Sequence, residues 1–520
     1  MTIAILTLFA PAALIFAAVL AALGPDMRPV KTLQQVEWIS LGALGAAVLS
    51  CLALLADGPA TGGLVGPTGL GLSARLDAVS AIMLLLVSFV GWVVVRFAAT
   101  YMDGEPHQGQ FTGWLCATLA AVMLLVIAGN LLQLVLGWIA TSVFLHKLLL
   151  HYPGRVAAQR AARKKWITAR LGDAALLVAA LLIYTRYGTG DIAEILAAAR
   201  LGEGAGSGAV WIAALLALAA ILKSAQFPMH GWLTEVMETP TPVSALLHAG
   251  VINAGGFLLI RFADVMMLAP SVLAVLVMVG GFTALFGGLV MLTQSAVKTS
   301  LAWSTVAQMG FMILQCGLAL FPLALLHIVA HSLYKAHAFL ASGMAVEGVA
   351  AIRRPGPVAI PDGSAVGRAF LIALVIYAAV ALVFGISGKS PQAIALGAIL
   401  IFGVAYLLAQ GLADAAPRVL TQRTAALSVA AAVSYFALQT GAEWMMYGTL
   451  PATPAPGPLE WALIVLALFS FGLVAVAQAL FPLWAYHPTA AGMRVHLSNG
   501  LYANAVFDKL LRGWSIKRSS

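Results

Sequence analysis

At 520 residues, 62% hydrophobic and only 9% charged, with a mean hydropathy of +0.98, the chain is excluded from the soluble globular class, in which about 25% of residues are charged. No stretch between its apolar runs exceeds roughly 25 residues, too little for an independent soluble core. The net charge of +9 does not point to nucleic acid, because any polytopic membrane protein keeps basic loops on its cytoplasmic side.

The expected fold is therefore an all-α polytopic membrane protein. Apolar runs of about 20 residues fall near 3–23, 34–56, 77–100, 113–129, 130–150, 167–187, 209–228, 241–262, 271–293, 299–319, 322–348, 368–387, 391–413, 423–440 and 459–483. This gives about 14–15 transmembrane helices, the fourth and fifth poorly separated. The N-terminal run has almost no basic flank and apolar runs follow it throughout, so it reads as a first span rather than a cleaved signal. Cys51, Cys116 and Cys316 lie in apolar runs without mutual spacing, which indicates neither a disulfide framework nor a metal site.

The most basic loop, around Arg155, Arg160, Arg163, Lys164, Lys165 and Arg170, is expected on the cytoplasmic side. Alternation then places Arg28 and Lys31, Arg353 and Arg354, Arg418 and Arg423, and the tail with Arg494, Lys509 and Arg512 on that same side. The N-terminus is expected outside and the C-terminus inside. Outward loops are Gly- and Pro-rich or mildly acidic: DGPATGGLVGPTG, GTGDIAEILAAARLGEGAGSG and PATPAPGP. The glycines of GEGAGSG follow no strand, so they read as a flexible connection and not as a phosphate loop. The tail, MRVHLSNGLYANAVFDKLLRGW, alternates basic and apolar residues and suits either an amphipathic surface helix that docks a partner or a solvated end.

The chain is organised around KSAQFPMHGWLTEVMETPTPVSALLHAG. Lys223 closes an apolar run, Pro228 breaks the helix behind it, Pro240 and Pro242 open the next, and His248 follows within it. A lysine within an apolar span needs a bundle interior or a partner, and a broken helix is tolerated in a membrane where it is buried in protein or lines a cavity. The densest set of ionisable groups comes later, in LHIVAHSLYKAHAFLASG. Spacing of four puts His327, His331 and Lys335 on one helical stripe, a row of groups able to take up and release protons at one-turn intervals. His337 lies off that stripe and reads as a structural donor. Two histidines four apart would also suit zinc, but the glutamate of an HExxH motif is missing and no third ligand accompanies them. Lys298 enters its span near the inner end, where it either joins the row or snorkels to the interface. Asp173, with Arg170 one turn before it, is either a coupling carboxylate or one half of a self-neutralising pair. His146, Lys147 and His151 read as a lipid-facing or partner-facing edge.

These blocks resemble the antiporter-like membrane subunits of respiratory complex I and of Mrp antiporters. The resemblance rests on KSAQ, GWL and PTPVSALLHA, on LAWSTVAQMGFM, on LHIVAHSLYKAHAFLASG and on ARLGD, and runs from about the third span to residue 348. It implies two inverted five-helix repeats with broken helices, and proton translocation. On that basis residues 1–110 would be N-terminal helices, 111–262 and 263–415 the two repeats, 416–485 C-terminal helices and 486–520 a cytoplasmic amphipathic tail. Lys223 would be the central lysine of the first repeat, with His248, His327, His331 and Lys335 continuing the polar axis.

The chain departs from that pattern at Ile139, where the family carries a glutamate after GW. It also departs at Lys389, the nearest candidate for a second-repeat lysine, which lacks the acidic residue that follows it elsewhere. Ile139, the continuation HKLLLHYPGR and the block AARKKWITARLGD together resemble a particular branch, the DabB-type membrane subunits of two-component complexes that accumulate dissolved inorganic carbon. That resemblance implies a bacterial inner membrane and cation flux through this chain. It also implies catalysis in a large soluble zinc partner, DabA, related to β-carbonic anhydrases, with no cofactor in the membrane subunit. The alternatives are a proton-pumping subunit of a complex I or membrane-hydrogenase type redox complex, and a stand-alone cation/proton antiporter.

Overall fold

The computed structural model of the chain describes residues 3–66, 69–343, 361–385, 388–412 and 418–511. A 3-10 turn, Ile3–Leu8, leads into α1 (Phe9–Leu23) and α2 (Val30–Asp57). A hairpin of β1 (Ala60–Val65) and β2 (Leu72–Leu76) follows. Then come α3 (Ala78–Tyr101), α4 (Gln108–Val126), α5 (Leu131–Leu149), α6 (Val156–Tyr187), α7 (Ile192–Arg200), α8 (Ser207–Lys223) and α9 (Gly231–Glu235). The next group is α10 (Thr241–Ala249), α11 (Ala254–Arg261), α12 (Ala263–Met266), α13 (Pro270–Met291), α14 (Val297–Gly317) and α15 (Phe321–Leu340). The chain closes with α16 (Gly363–Val383), α17 (Pro391–Gly411), α18 (Arg418–Met445), α19 (Pro458–Ala479), α20 (Phe481–Trp484), α21 (Pro488–Ser498) and α22 (Ala503–Leu511).

Each of the fifteen expected apolar runs carries helix. Among the described residues twelve helices are long and apolar enough to cross a membrane, and α8 and the Pro391–Tyr406 part of α17 are shorter apolar stretches. The chain is a multi-pass membrane protein, and its lipid-compatible surfaces agree: α6 turns Leu177, Val178, Leu181 and Leu182 outward. Arg353, Arg354 and Arg512, and the end of the run expected at 322–348, lie outside the described residues.

Three expectations need correction. The sixth helix begins at Val156 rather than near 167, so Arg160, Arg163, Lys164 and Lys165 stand on α6 and not in a loop. Helix phase then buries Lys164 and Lys165. The Gly-rich segment after α2 forms an antiparallel hairpin, Ala60 opposite Leu76 and Gly62 opposite Ala74. Arg75 N–H of that hairpin donates to Ile127 O at 2.9 Å, and Ala74 bridges Ala128, so the hairpin caps the α4–α5 turn. The Gly-rich loop after α6, expected on the outer side, contains α7, whose N-terminus is capped by the Asp191 side chain.

One hydrophobic core runs from Ala4 to Met446, and a second gathers α16, α17 and α18 around Tyr377 and Phe436. The closest helix pair is α13 against α14. A Cβ on Gly280 would stand 2.4 Å from Leu314 N, and one on Gly310 would stand 2.5 Å from Ala284 N. Only glycine permits that approach, the usual way membrane helices gain contact when lipid is as apolar as their own side chains. It fixes the height of Leu301, Ser304 and Thr305 on α14.

At the opposite face from the basic turn at 150–155, Asp77 caps α3 by accepting from Ser80 N–H at 2.8 Å while Ser80 Oγ accepts from Asp77 N–H at 2.8 Å. Its carboxylate also receives Arg261 Nη1 at 2.6 Å and Arg75 Nε at 2.7 Å, which ties the hairpin and α11 to α3. Burial alone would raise Asp77, but Arg261 and Arg75 hold its carboxyl well below the usual carboxylate range.

Candidate functional site

The site is built on two helix breaks that satisfy each other. The first follows Lys223: Pro228 has no N–H to continue the helix, and the freed groups find other partners. Phe227 N–H donates to Thr283 Oγ1 at 3.2 Å, and Gln226 Nε2 to Ser224 O at 2.8 Å. The second break was not expected from the sequence. Between α10 and α11 the chain tightens into a 3-10 turn, Val251–Asn253, directly after His248 and Gly250. Ser224 Oγ, at the first break, donates to Ile252 O in the second at 3.2 Å. Asn253 Nδ2 donates to Ser332 Oγ on α15 at 2.9 Å, so the second break leans on the helix that carries the histidines, and the first leans on the second.

Around the first break, Lys223 Nζ donates to Ser142 Oγ at 2.8 Å and lies 4.4 Å from the centre of the Trp138 ring. Lys165 Nζ reaches the same residue from the other side, donating to Ser142 O at 2.6 Å. Arg170 Nη2 pairs with Asp173 Oδ2 at 2.6 Å, and Asp173 is the acidic charge that acts on both Lys223 and Lys165. The pairing of Asp173 with Arg170 one turn before it is thus present in the structure. Ile139, one residue after Trp138, is half-buried and packs against the apolar core. The carboxylate beside Lys223 therefore comes from α6 rather than from α5.

Around the second break, His248 Nδ1 shares a hydrogen bond of 3.0 Å with Thr305 Oγ1, and its ring stacks on Phe339 with centroids 4.4 Å apart. Lys335 is fully buried and donates to Ser304 Oγ at 2.8 Å and to Leu301 O at 3.0 Å. His327 and His331 follow one another along α15 with ring centroids 6.0 Å apart. His331 lies one turn after His327 and one turn before Lys335 on α15. The Nε2 atoms of His248, His327 and His331 are buried with no hydrogen-bond partner among the described residues.

Five of the expected site residues, Lys223, His248, His327, His331 and Lys335, thus stand in two buried groups bridged by Ser224, Ile252 O, Asn253 and Ser332, and Asp173 joins the first group. Lys298 stands apart: its Nζ donates to Thr241 Oγ1 at 3.1 Å, and Thr241 in turn donates to Tyr101 Oη at 3.2 Å, at the N-terminal end of α10. His337 is exposed, as is Lys147, while His146 packs on Trp166. Lys389 finds an acid in space rather than in sequence, with Glu443 Oε2 of α18 at 3.5 Å and Thr440 Oγ1 at 3.3 Å. Sequence reading missed Lys165, Ser142 and Trp138. Lys165 was hidden in a run of basic residues, although its placement four residues after Ala161 and three before Thr168 on one face of α6 was available as a signal.

Residues 128–354 match the family model described as NADH:quinone oxidoreductase/Mrp antiporter, and residues 65–112 match the one described as the N-terminus of chain 5 of NADH-ubiquinone oxidoreductase (complex I). A probable inorganic carbon transporter subunit DabB2 of Halothiobacillus neapolitanus is 37% identical over 99% of this chain and 95% of its own length. A probable inorganic carbon transporter subunit DabB of Hydrogenovibrio crunogenus is 47% identical over 52% of this chain and 53% of its own. NADH-quinone oxidoreductase subunit L of Escherichia coli is 35% identical over 54% of this chain and 46% of its own. Among solved structures, a chain of the Mrp complex from Dietzia sp. DQ12-45-1b superposes with a TM-score of 0.64 at 22% identity, covering all of this chain and 61% of that one, which is a likeness of fold. With a relative of that identity matched over nearly the full length of both chains, and the membrane-domain model placed over both helix breaks, the chain belongs to the DabB family of NADH:quinone oxidoreductase/Mrp antiporter-type membrane subunits.

Proposed function

We propose that this chain is the proton-translocating membrane subunit of an energy-coupled inorganic carbon uptake complex. The observation that carries the proton path is the set of three buried imidazole Nε2 atoms, on His248, His327 and His331, that lack a hydrogen-bond partner among the described residues, with His327 and His331 on the same helix as Lys335. Unpaired buried polar atoms are costly, and a chain of waters that passes protons between them satisfies each one. Lys223, held by Ser142 over Trp138 with Asp173 as its acidic neighbour, is the loading group of the first set. The bridge of Ser224, Asn253 and Ser332 hydroxyl and amide groups leads to the second. Lys298, at the N-terminal end of α10, is the entry-side cation.

The cargo and the partner follow from kinship with the DabB relatives. On this reading a large soluble zinc protein of the DabA type, related to β-carbonic anhydrases, hydrates carbon dioxide on the cytoplasmic side of a bacterial inner membrane, and proton flow through this chain makes that step vectorial. The N-terminus lies outside and the tail inside. Affinity purification of the tagged chain with mass spectrometry and a zinc assay tests the partner: one large zinc-bearing protein is expected, and a set of quinone-reductase or hydrogenase subunits would overturn the assignment. Carbon accumulation in cells carrying Lys223→Ala or His331→Ala tests the path. Loss of accumulation with the complex still assembled is expected, and undiminished accumulation refutes it.

A further inference from the structure

The C-terminal tail closes over the first group of the site through contacts that proton transfer itself does not use. Lys164, buried on α6 one residue before Lys165, is gripped by Glu235 Oε1 and Asp508 Oδ1, each at 2.6 Å, and by Asn504 Oδ1 at 2.9 Å. Asn504 Nδ2 donates to the same Glu235 oxygen. One residue of α22 thus bridges a lysine of α6 and a glutamate of α9, the short helix inside the first break. A Cβ on Gly231 of α9 would stand 2.0 Å from Asn504 Oδ1, so the tail lies directly on the backbone there. A turn earlier, a Cβ on Gly500 would meet Trp303 at 3.1 Å and His230 Nε2 at 3.9 Å, and Gln294 Nε2 donates to Ser498 O at 3.4 Å.

We propose that α22 is a latch over the inner end of the proton path, and that it must lift and reseat during transport. The inference rests on the proton-path reading above. Two features mark the tail as poised to move. Its grip on α6 is polar, through Asn504 and Asp508, while Val506 and Leu510 face outward. Its hinge is strained: Gly500, Leu501 and Tyr502 all have positive φ (56°, 50° and 60°), and two of them are not glycine. What the latch grips is the part whose position matters. Fixing Lys164 fixes Lys165 beside it, and Lys165 shares Ser142 with Lys223. Fixing Glu235 and Gly231 fixes the break that follows Lys223.

The test locks the latch reversibly. A Cβ on Gly231 would lie 3.3 Å from Asn504 Cβ, close to the roughly 3.5–4.5 Å that a disulfide needs. The pair Gly231→Cys with Asn504→Cys is made in the full chain within its complex, with the single variants as controls. Oxidation is expected to lower bicarbonate accumulation at least tenfold in the pair alone, with recovery on reduction. Fully cross-linked protein, verified by gel mobility, that transports at the reduced rate would overturn the latch. A second measurement follows the tail directly: maleimide labelling of Phe507→Cys, half-buried on α22 and outside the grip on Lys164, in everted vesicles with and without an imposed pH gradient. Faster labelling under the gradient is expected, and labelling indifferent to it overturns the latch even where Lys223→Ala abolishes flux. Flux that survives Lys223→Ala overturns the proton-path reading alone.

Discussion

Ser142 offers the sharpest test of how Lys223 is held. It is fully buried, its Oγ is the hydrogen-bond acceptor for Lys223 at 2.8 Å, and its main-chain oxygen accepts from Lys165. Ser142→Ala removes the first bond and leaves the second, so the change isolates one contact with no cavity of consequence. A hydrogen bond to a charged group contributes about 1.5–3 kcal/mol, which corresponds to a loss of about 10- to 150-fold in the occupancy of the loaded lysine. The Trp138 face at 4.4 Å and the Asp173 charge remain, which puts the expectation at the low end, about tenfold. The assay is proton flux in everted vesicles followed with a pH-sensitive dye. Ser142→Cys, with a weaker acceptor of similar size, is expected to fall between. Flux within twofold of native for Ser142→Ala, in vesicles where Lys223→Ala is inactive, would refute the argument that this bond holds the loading state.

Asp173→Asn removes the acidic charge beside Lys223 and is expected to cut the same flux at least about tenfold, an effect on the order of 1.4 kcal/mol. Adding Ile139→Glu, one residue beyond Trp138, is expected to restore part of it, and no restoration would mean that the α5 position does not face the lysine. Arg261→Met strips Asp77 of one of its two arginines inside the protein and is expected to cost about 3–5 kcal/mol, measured as a lowered thermal midpoint in detergent. Gly310→Ala places a methyl 2.5 Å from Ala284 N, where backbone and not a flexible side chain must give way. It is expected to cost about 1–3 kcal/mol or more through separation of α13 and α14, and to weaken the Thr305 contact to His248, read from flux and from thermal stability together.

Much of the architecture was legible residue by residue. Runs of about 20 apolar residues are long enough to span lipid, and lipid forces the backbone of such runs into helix, so all fifteen predicted positions carry one. Pro228, Pro240 and Pro242 marked the first break because proline removes a donor wherever it sits. The break at Val251–Asn253 carried no such mark. Gly250 is one glycine among 50, and the turn is held by contacts from elsewhere in the chain: Ser224 takes the Ile252 carbonyl, and Ser332 anchors the Asn253 side chain. The hairpin after α2 was equally hidden, since ATGGLV carries little strand propensity and forms because the α4–α5 turn offers it an edge to bond.

The candidate site divides along the same line. Spacing of four by itself put His327, His331 and Lys335 on one stripe, and charge in an apolar run by itself singled out Lys223. Which faces turn inward was not written in the residues. A helix surrounded by lipid is apolar on all sides, so it shows no amphipathic pattern to orient it, and small residues and close packing make the choice instead. Only the folded chain therefore brings Lys165 and Ser142 to Lys223, supplies Asp173 from α6 where α5 has Ile139, pairs Lys389 with Glu443, and lays the tail on Lys164. Sequence determines that buried charges are present, because their cost does not depend on neighbours; tertiary structure decides what each one meets.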